Sequence, residues 1–354
     1  LVVNFNLHAF RILLLFHKIK KMNIFEIILI FTILNLTILI FFSKLIAFIN
    51  IYDIPNIRKI HKKKTPLIGG FIVLLNFILF YITNTLGFIS NSLEQTFLLG
   101  NLNNLFFFSI LIYLLGFFDD KYDLNPNLKL LVLTILISIF IFFDESLLIK
   151  NLNFSFLNKE IGVGNFSYVL TVLCYLLFIN ACNMFDGINL QSGIYFLIFL
   201  ITLSILGNFS ILNIVLIISL LAFLFLNYNG RTFMGDGGVY LISFILGYLS
   251  IKTYNLDLIN DVDTIFLIMM IPGIDMLRMF IIRVIKKKNP FRPDKNHLHH
   301  LLLTKFKYFK TIIIINLMII TPIFICFTGV SNILNIILFI IIYSYLIINL
   351  KYQK

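Results

Sequence analysis

Long apolar runs separated by short polar stretches dominate the chain from residue 24 onward. Eleven stand out: 24–49, 67–88, 97–118, 128–143, 165–182, 191–206, 211–227, 239–252, 264–284, 311–328 and 332–350. A helix that crosses the hydrocarbon core of a bilayer needs roughly 20 predominantly apolar residues. Most of the runs reach or approach that length, and several are short or closely spaced. The pattern predicts an all-α, polytopic transmembrane bundle of about eleven spans. It shows neither an internal repeat nor a low-complexity linker, so residues 22–354 read as a single integral membrane domain. Residues 1–21 carry an apolar run too short to span and no small-residue cleavage site. With Met22 next, they read as an upstream or non-native extension.

Composition agrees with the pattern. Of the 354 residues, 60% are hydrophobic and 12% charged, and the mean hydropathy is +1.00. A soluble domain carries about 25% charged residues. Half that leaves too little polar surface to cover a water-soluble globule, so lipid must cover it. The three cysteines, Cys174, Cys182 and Cys326, lack C-x-x-C spacing and imply neither a disulfide framework nor a zinc site.

The formal charge of +12 would suggest nucleic acid in a soluble protein. In a membrane protein, cationic loops mark the cytoplasmic side. One alternating set of loops comprises 50–66, 119–127, 183–190, 228–238, 285–310 and the tail. With Lys129, it holds 18 of the 28 Lys and Arg residues. The opposite set holds Lys150 and Lys159. The first set is therefore expected in the cytoplasm. The far-side acids Glu94, Asp144, Glu145, Glu160, Asp257, Asp261 and Asp263 read as scattered, solvated charges.

On the cationic side, acids occur in compact clusters with Asn, Gly and His. Asp119, Asp120 and Asp123 stand in FFDDKYDLNPNLKL, where a continuing helix gathers them on one side. Packing like charges is unfavourable unless a cation lies between them or one carboxylate is kept as a base. The alternative is a solvated helix end before the turn at Asn125-Pro126. Asn180, Asn183 and Asp186 recur every three residues in INACNMFDGINLQSG, and read as a polar helix cap or as amides and a carboxylate for a nucleobase or ribose. In RTFMGDGGVY, glycines flank Asp236, a plain turn or a place where an acid ligates a phosphate-bridging metal. Asp275, inside the ninth run, is a functional candidate as an intramembrane acid, or the partner of Arg278. His297, His299 and His300 follow Asp294 in an exposed basic loop or a phosphate or uracil contact. Arg58 to Lys64, with Thr65-Pro66 and Gly69-Gly70 behind, suits lipid headgroups or phosphate. All six clusters lie on one side of the predicted membrane. Carboxylates for Mg²⁺, basic groups for phosphate and amides for a base are the parts that phosphoryl transfer needs.

These motifs resemble the polyprenyl-phosphate N-acetylhexosamine-1-phosphate transferases, glycosyltransferase family 4. The likeness runs in order through DIPNIRKIHKKKTPLIGG, DDKYDLNPNLKL, NACNMFDG, FMGDGG, PGID and PDKNHLHHL. The closing HLHH is similar to the branch that transfers GlcNAc-1-phosphate to undecaprenyl phosphate. The muramoyl-pentapeptide-transferring branch typically ends in a triple-histidine run instead. Two departures stand out. Asn189, Leu190 and Gln191 occupy the stretch where the family has a second acid, and Gly238 and Val239 replace a Gly-Ser.

The resemblance implies eleven spans with the active site at the cytoplasmic face. It implies Asp236 as main ligand of Mg²⁺, or of Mn²⁺ in its place, with Asp120 close to the metal. Asp119 becomes the base that deprotonates or orients the lipid phosphate, a covalent aspartyl intermediate being the competing role. Asn180, Asn183 and Asp186 hold the nucleotide. Lys64, Asp294, His297, His299 and His300 complete the substrate-binding set for diphosphate or uridine. A UDP-sugar and polyprenyl phosphate are the expected reactants, and the family precedent adds a homodimer. The expected location is the bacterial inner (plasma) membrane, in a pathway of cell-envelope glycan or lipopolysaccharide assembly. A transporter, supported by Asp275, and a catalytically silent scaffold are the alternatives in other classes.

Overall fold

The computed structural model describes residues 21–55, 63–89, 102–157, 159–207, 209–289 and 295–352. The amino-terminal stretch read as an extension, the basic residues Arg58, Lys59, His61 and Lys62, and Asp294 lie outside the described residues. Each of the eleven apolar runs coincides with a helix or a bent helix pair. In chain order these are α1 (Ile24–Ile40) with α2 (Phe42–Ile49), α3 (Gly69–Thr85), α4 (Leu102–Tyr122), α5 (Pro126–Phe143) and α6 (Ser167–Phe185). There follow α7 (Gln191–Ile205), α8 (Ile211–Tyr228), α9 (Gly235–Asn255) and α10 (Val262–Ile285). A short α11 (Leu298–Lys305) then precedes α12 (Tyr308–Cys326) and α13 (Asn332–Tyr352). Two minimal hairpins complete the fold: β1 (Tyr52–Asp53) with β2 (Thr65–Pro66), and β3 (Asn151–Leu152) with β4 (Ile161–Gly162), both antiparallel.

Seven of these helices are long and apolar enough to cross a membrane, or eight with α1 and α2 taken as one span bent by 71°. Their outward faces are Leu, Ile and Phe, for example Phe25, Phe142, Phe225, Ile285 and Phe324. The protein is a nearly all-helical, multi-pass membrane protein. Helices α3 and α7 are apolar but shorter.

Helix α9 is the axis of the bundle. Nearly all its residues are buried, from Gly235 to Tyr254, and it packs against α3, α4, α6 and α7. Its glycines explain how neighbours come so close, as small residues do between membrane helices. A Cβ on Gly238 would stand 2.4 Å from the Cα of Gly70 in α3, and one on Gly116 in α4 would stand 2.5 Å from the Gly237 nitrogen. Bulk at these crossings would push the helices apart.

Loop contacts sort to two ends. At one, Leu67 pairs with Phe233, the Gly69 and Gly70 N–H groups donate to Phe233 and Met234 carbonyls (2.9 Å each), and Tyr308 donates to the Asn189 carbonyl (2.6 Å). At the other, Met22 pairs with Ile89, Val262 N–H donates to Asn153 (2.9 Å), and Asn255 donates to Ser146 and Leu148. The first is the cationic, motif-bearing end, called the mouth below. At the far end the sequence expectation needs correction. Asp144 and Asp263 are buried at 2% and 3% exposure rather than solvated. Asp144 lies 3.5 Å from the Lys252 ammonium, and Asp263 accepts from the N–H (3.1 Å) and hydroxyl of Ser155. The hairpin β3–β4 folds over this end and supplies the neighbouring backbone, which a loop pattern in sequence does not disclose.

Candidate active site

The site is assembled where α4 meets the start of α9. A helix leaves its first N–H groups without internal partners, and Met234, which precedes α9, offers no side-chain cap. Asp120, in the last turn of α4, supplies one from outside. Its two oxygens accept from the N–H groups of Asp236 (3.0 Å) and Gly237 (3.2 Å). Gly235 makes this approach feasible. Its φ of +75° turns the chain into the helix, and a Cβ there would stand 2.7 Å from Asp120 Oδ2. The positive end of the α9 dipole favours a carboxylate in that place.

Asp119 is buried beside it. Its Oδ1 accepts from the Leu124 N–H (2.9 Å), and its Oδ2 pairs with the Lys129 ammonium (2.6 Å). Asp123, expected on the same helical side, instead ends the helix with φ +51° and is exposed. The Asp236 carboxyl interacts with those of Asp119 and Asp120 and with Lys129. Asp186 closes α6, accepts from the Ser192 hydroxyl, and its charge reaches Asp120. Burial pushes the Asp186 carboxyl up to about 6, against the lowering effect of Ser192. Four carboxyl groups thus gather with Lys129 at one mouth.

The stretch after Asp186 forms the second wall. Leu190 takes φ +68°, and its N–H donates to Asn227 Oδ1 (2.6 Å), whose amide donates to the Thr232 carbonyl (2.7 Å). Asn180 spends its amide on the Leu176 carbonyl of its own helix (2.7 Å). Asn183 Nδ2 is buried with no partner among the described residues, and so are both polar atoms of the Gln191 side chain. The imidazole of His299 lies directly on Gly187, where a Cβ would come within 2.0 Å of Nε2. His299 is 2% exposed and its Nδ1 has no partner. Burial, with His300 and His297 alongside, pushes its pKa down to about 3, so it is neutral at pH 7. His300 is half-buried, its ring 4.3 Å from that of His299.

The structure therefore brings Asp119, Asp120, Asp186 and Asp236 together, with Asn183, His299 and His300 on the adjoining wall. Two predicted residues look elsewhere. Lys64 is exposed, its ammonium 3.9 Å above the Tyr52 ring. His297 turns inward to Asp275 (2.7 Å). Sequence reasoning missed Lys129, treated there only as a topological charge, although it lies within the same DDKYDLNPNLKL stretch. It also missed Ser192 and Gln191, for which position after Asp186 was the available signal.

The donor set at this mouth is all oxygen, the chemistry that suits Mg²⁺. No three of the described acids, histidines or cysteines surround one point as a ready cage. Each Asp120 oxygen accepts one N–H and retains a lone pair.

Carboxylates clustered with an ammonium at the mouth of a multi-pass helical bundle are parts that a membrane enzyme acting on phosphorylated groups requires. The family model for glycosyl transferase family 4 matches residues 102–254, the span from α4 through α9 that carries all four carboxylates. An undecaprenyl-phosphate alpha-N-acetylglucosaminyl 1-phosphate transferase of Salmonella typhi is 30% identical over 281 residues, 75% of this chain and 73% of that one. The enzyme of that name from Thermotoga maritima is 29% identical over 265 residues, 74% of this chain and 76% of its own. A probable undecaprenyl-phosphate N-acetylglucosaminyl 1-phosphate transferase of Bacillus subtilis is 28% identical over 260 residues, 71% and 69% of the two chains. The chain belongs to glycosyl transferase family 4.

Proposed function

We propose that this protein transfers an N-acetylhexosamine-1-phosphate, GlcNAc-1-phosphate in the first instance, from a UDP-sugar to undecaprenyl phosphate. The observation that carries the reading is the gathering of Asp119, Asp120, Asp186 and Asp236 at one mouth, with Lys129 paired to Asp119, in a chain whose relatives bear that activity in their names. An oxygen of the lipid phosphate attacks the β-phosphorus of the donor. The bond from that phosphorus to the bridging oxygen breaks, UMP leaves, and a polyprenyl diphosphosugar remains. One phosphoanhydride replaces another, so the reaction is reversible.

Two anionic reactants must meet, and positive charge has to offset their repulsion. Asp236 and Asp120 hold Mg²⁺, which neutralises phosphate charge when bound; Mn²⁺ serves in its place. Lys129 adds a fixed ammonium between Asp119 and Asp236. Both Asp119 oxygens already accept bonds, which favours an orienting role for this residue. Asn183, Asp186, His299 and His300 take the nucleotide. The excess of Lys and Arg at the mouth end supports a cytoplasmic site, in a bacterial inner membrane as in the family precedent; α3, α7 and α9 added to the eight candidate spans make eleven crossings. A homodimer follows the family precedent.

The test is UMP release by the purified protein given undecaprenyl phosphate, UDP-GlcNAc and Mg²⁺, with EDTA as control. Metal-dependent UMP is the expected result. Absence of UMP across a panel of UDP-sugars would overturn the reading.

A further inference from the structure

The intramembrane acid Asp275 remains outside this account, and its surroundings are unusual for a simple ion pair. An i, i+3 pair with Arg278 would occupy one oxygen. Here Oδ1 accepts from Arg278 Nη2 (2.7 Å), the Tyr343 hydroxyl (2.6 Å) and the Leu298 N–H (3.1 Å), while Oδ2 lies 2.7 Å from His297 Nδ1. Four donors thus converge on one carboxylate, three of them on a single oxygen. The other ring nitrogen of His297 lies 3.2 Å from Arg283 Nη2. A guanidinium only donates, so Nε2 accepts from it and Nδ1–H is left to donate to Asp275. Arg278 in turn donates to the Asn296 carbonyl (2.6 Å) and to Tyr343 (2.7 Å). Three elements, α10, α13 and the approach to α11, are closed onto one buried carboxylate.

The Leu298 N–H is the first of α11, and His297, which precedes that helix, contributes no side-chain cap of its own. Asp275 thus does for α11 what Asp120 does for α9: it caps the helix from another part of the fold. The next residue is His299. With no bond at Nδ1, that ring is placed by where its helix begins and by its packing on Gly187.

We propose that Asp275, with Tyr343 and Arg278, is a positioning residue for the donor side of the site: it fixes the start of α11 and thereby holds His299 against the Asp186–Gly187 turn. The inference rests on the reading that this wall binds the nucleotide-sugar. Asp275 itself touches no reacting group. Its loss releases the wall and leaves the Asp119, Asp120 and Asp236 cluster in place.

The experiment compares full-length wild type, Asp275→Asn and Tyr343→Phe in lipid nanodiscs, by amide hydrogen exchange and by steady-state kinetics with UDP-GlcNAc. Asparagine keeps the shape of aspartate but presents an NH₂ group to donors. In Asp275→Asn, exchange across residues 296–302 should rise at least about 10-fold, with that of α9 unchanged. KM for UDP-GlcNAc should rise about 10- to 100-fold, with kcat within about 3-fold. Tyr343→Phe, which removes one hydroxyl and is the gentler variant, should show the same pattern at about 3- to 10-fold. Unchanged protection of 296–302 in both variants overturns the proposal. So does loss of protection spread equally over α9 and α10, or a kcat loss with KM unchanged. The exchange comparison decides the placement even if wild type releases no UMP, a result that would count against the proposed reaction instead.

Discussion

At the far end of the bundle, buried Asp144 has Lys252 and Ser146 for company, and buried Asp263 has Ser155. At the mouth, Asp119, Asp120, Asp186 and Asp236 share one neighbourhood with Lys129. Each far-end acid is answered by a donor that costs the fold little more than two ordered side chains. The mouth instead accumulates negative charge, and the protein holds it there with two devices: the N-terminus of α9 against Asp120, and the Lys129 ammonium against Asp119. Buried charge is tolerated when paired; the surplus of one sign is what the proposed cation would offset. The difference separates acids that build the fold from those proposed to do chemistry, although all are buried and several look alike in sequence.

Substitutions test that separation most sharply at Asp236. Asp236→Asn should cut UMP release by about 10³-fold or more. It should also raise the unfolding temperature in metal-free buffer, because one repelling carboxylate is gone, a gain of about 1 kcal/mol. Loss of activity with loss of stability would place Asp236 with the structural acids. Lys129→Met leaves Asp119 without its counter-ion and should lower kcat/KM about 10- to 100-fold. An unaltered rate would remove Lys129 from the site.

The pH profile gives a smaller effect. The Asp186 carboxyl, pushed up to about 6, gains its proton as pH falls through that value and loses it above. If the ionised form takes part in binding the donor, log kcat/KM falls with unit slope below about pH 6, roughly tenfold per unit. Asp186→Asn should be poorly active and lack that limb. His299, held near 3, contributes no limb in this range. The far end provides the converse. Asp144→Ala strands the buried Lys252 and should cost about 3 kcal/mol of stability, with turnover of the folded protein within about 2-fold.

The helices were legible because lipid demands long apolar runs, and each run from 24–49 to 332–350 found its helix. Ordered motifs such as FMGDGG and NACNMFDG marked the mouth. What stayed hidden depends on partners far apart in the chain. Nothing near Asp120 says that its oxygens cap a helix 116 residues away, and nothing near Asp275 announces Tyr343, 68 residues on. Asp144 and Asp263 looked solvated because a loop acid and a buried one share the same local sequence; their partners Lys252 and Ser155 lie 108 residues away. Helix α9 hides its central place for a related reason. Its glycines and its polar ends weaken the apolar signal, and they are what allows α3 and α4 to cross it so closely.

The central claim, that the mouth is a divalent-cation site and the far end is not, is tested most directly by counting bound Mn²⁺ on the purified protein by electron paramagnetic resonance, with Mg²⁺ as competitor. The account predicts Mn²⁺ bound to wild type and to Asp144→Ala, displaced by Mg²⁺, and absent from Asp236→Asn. Undiminished binding in Asp236→Asn would contradict it.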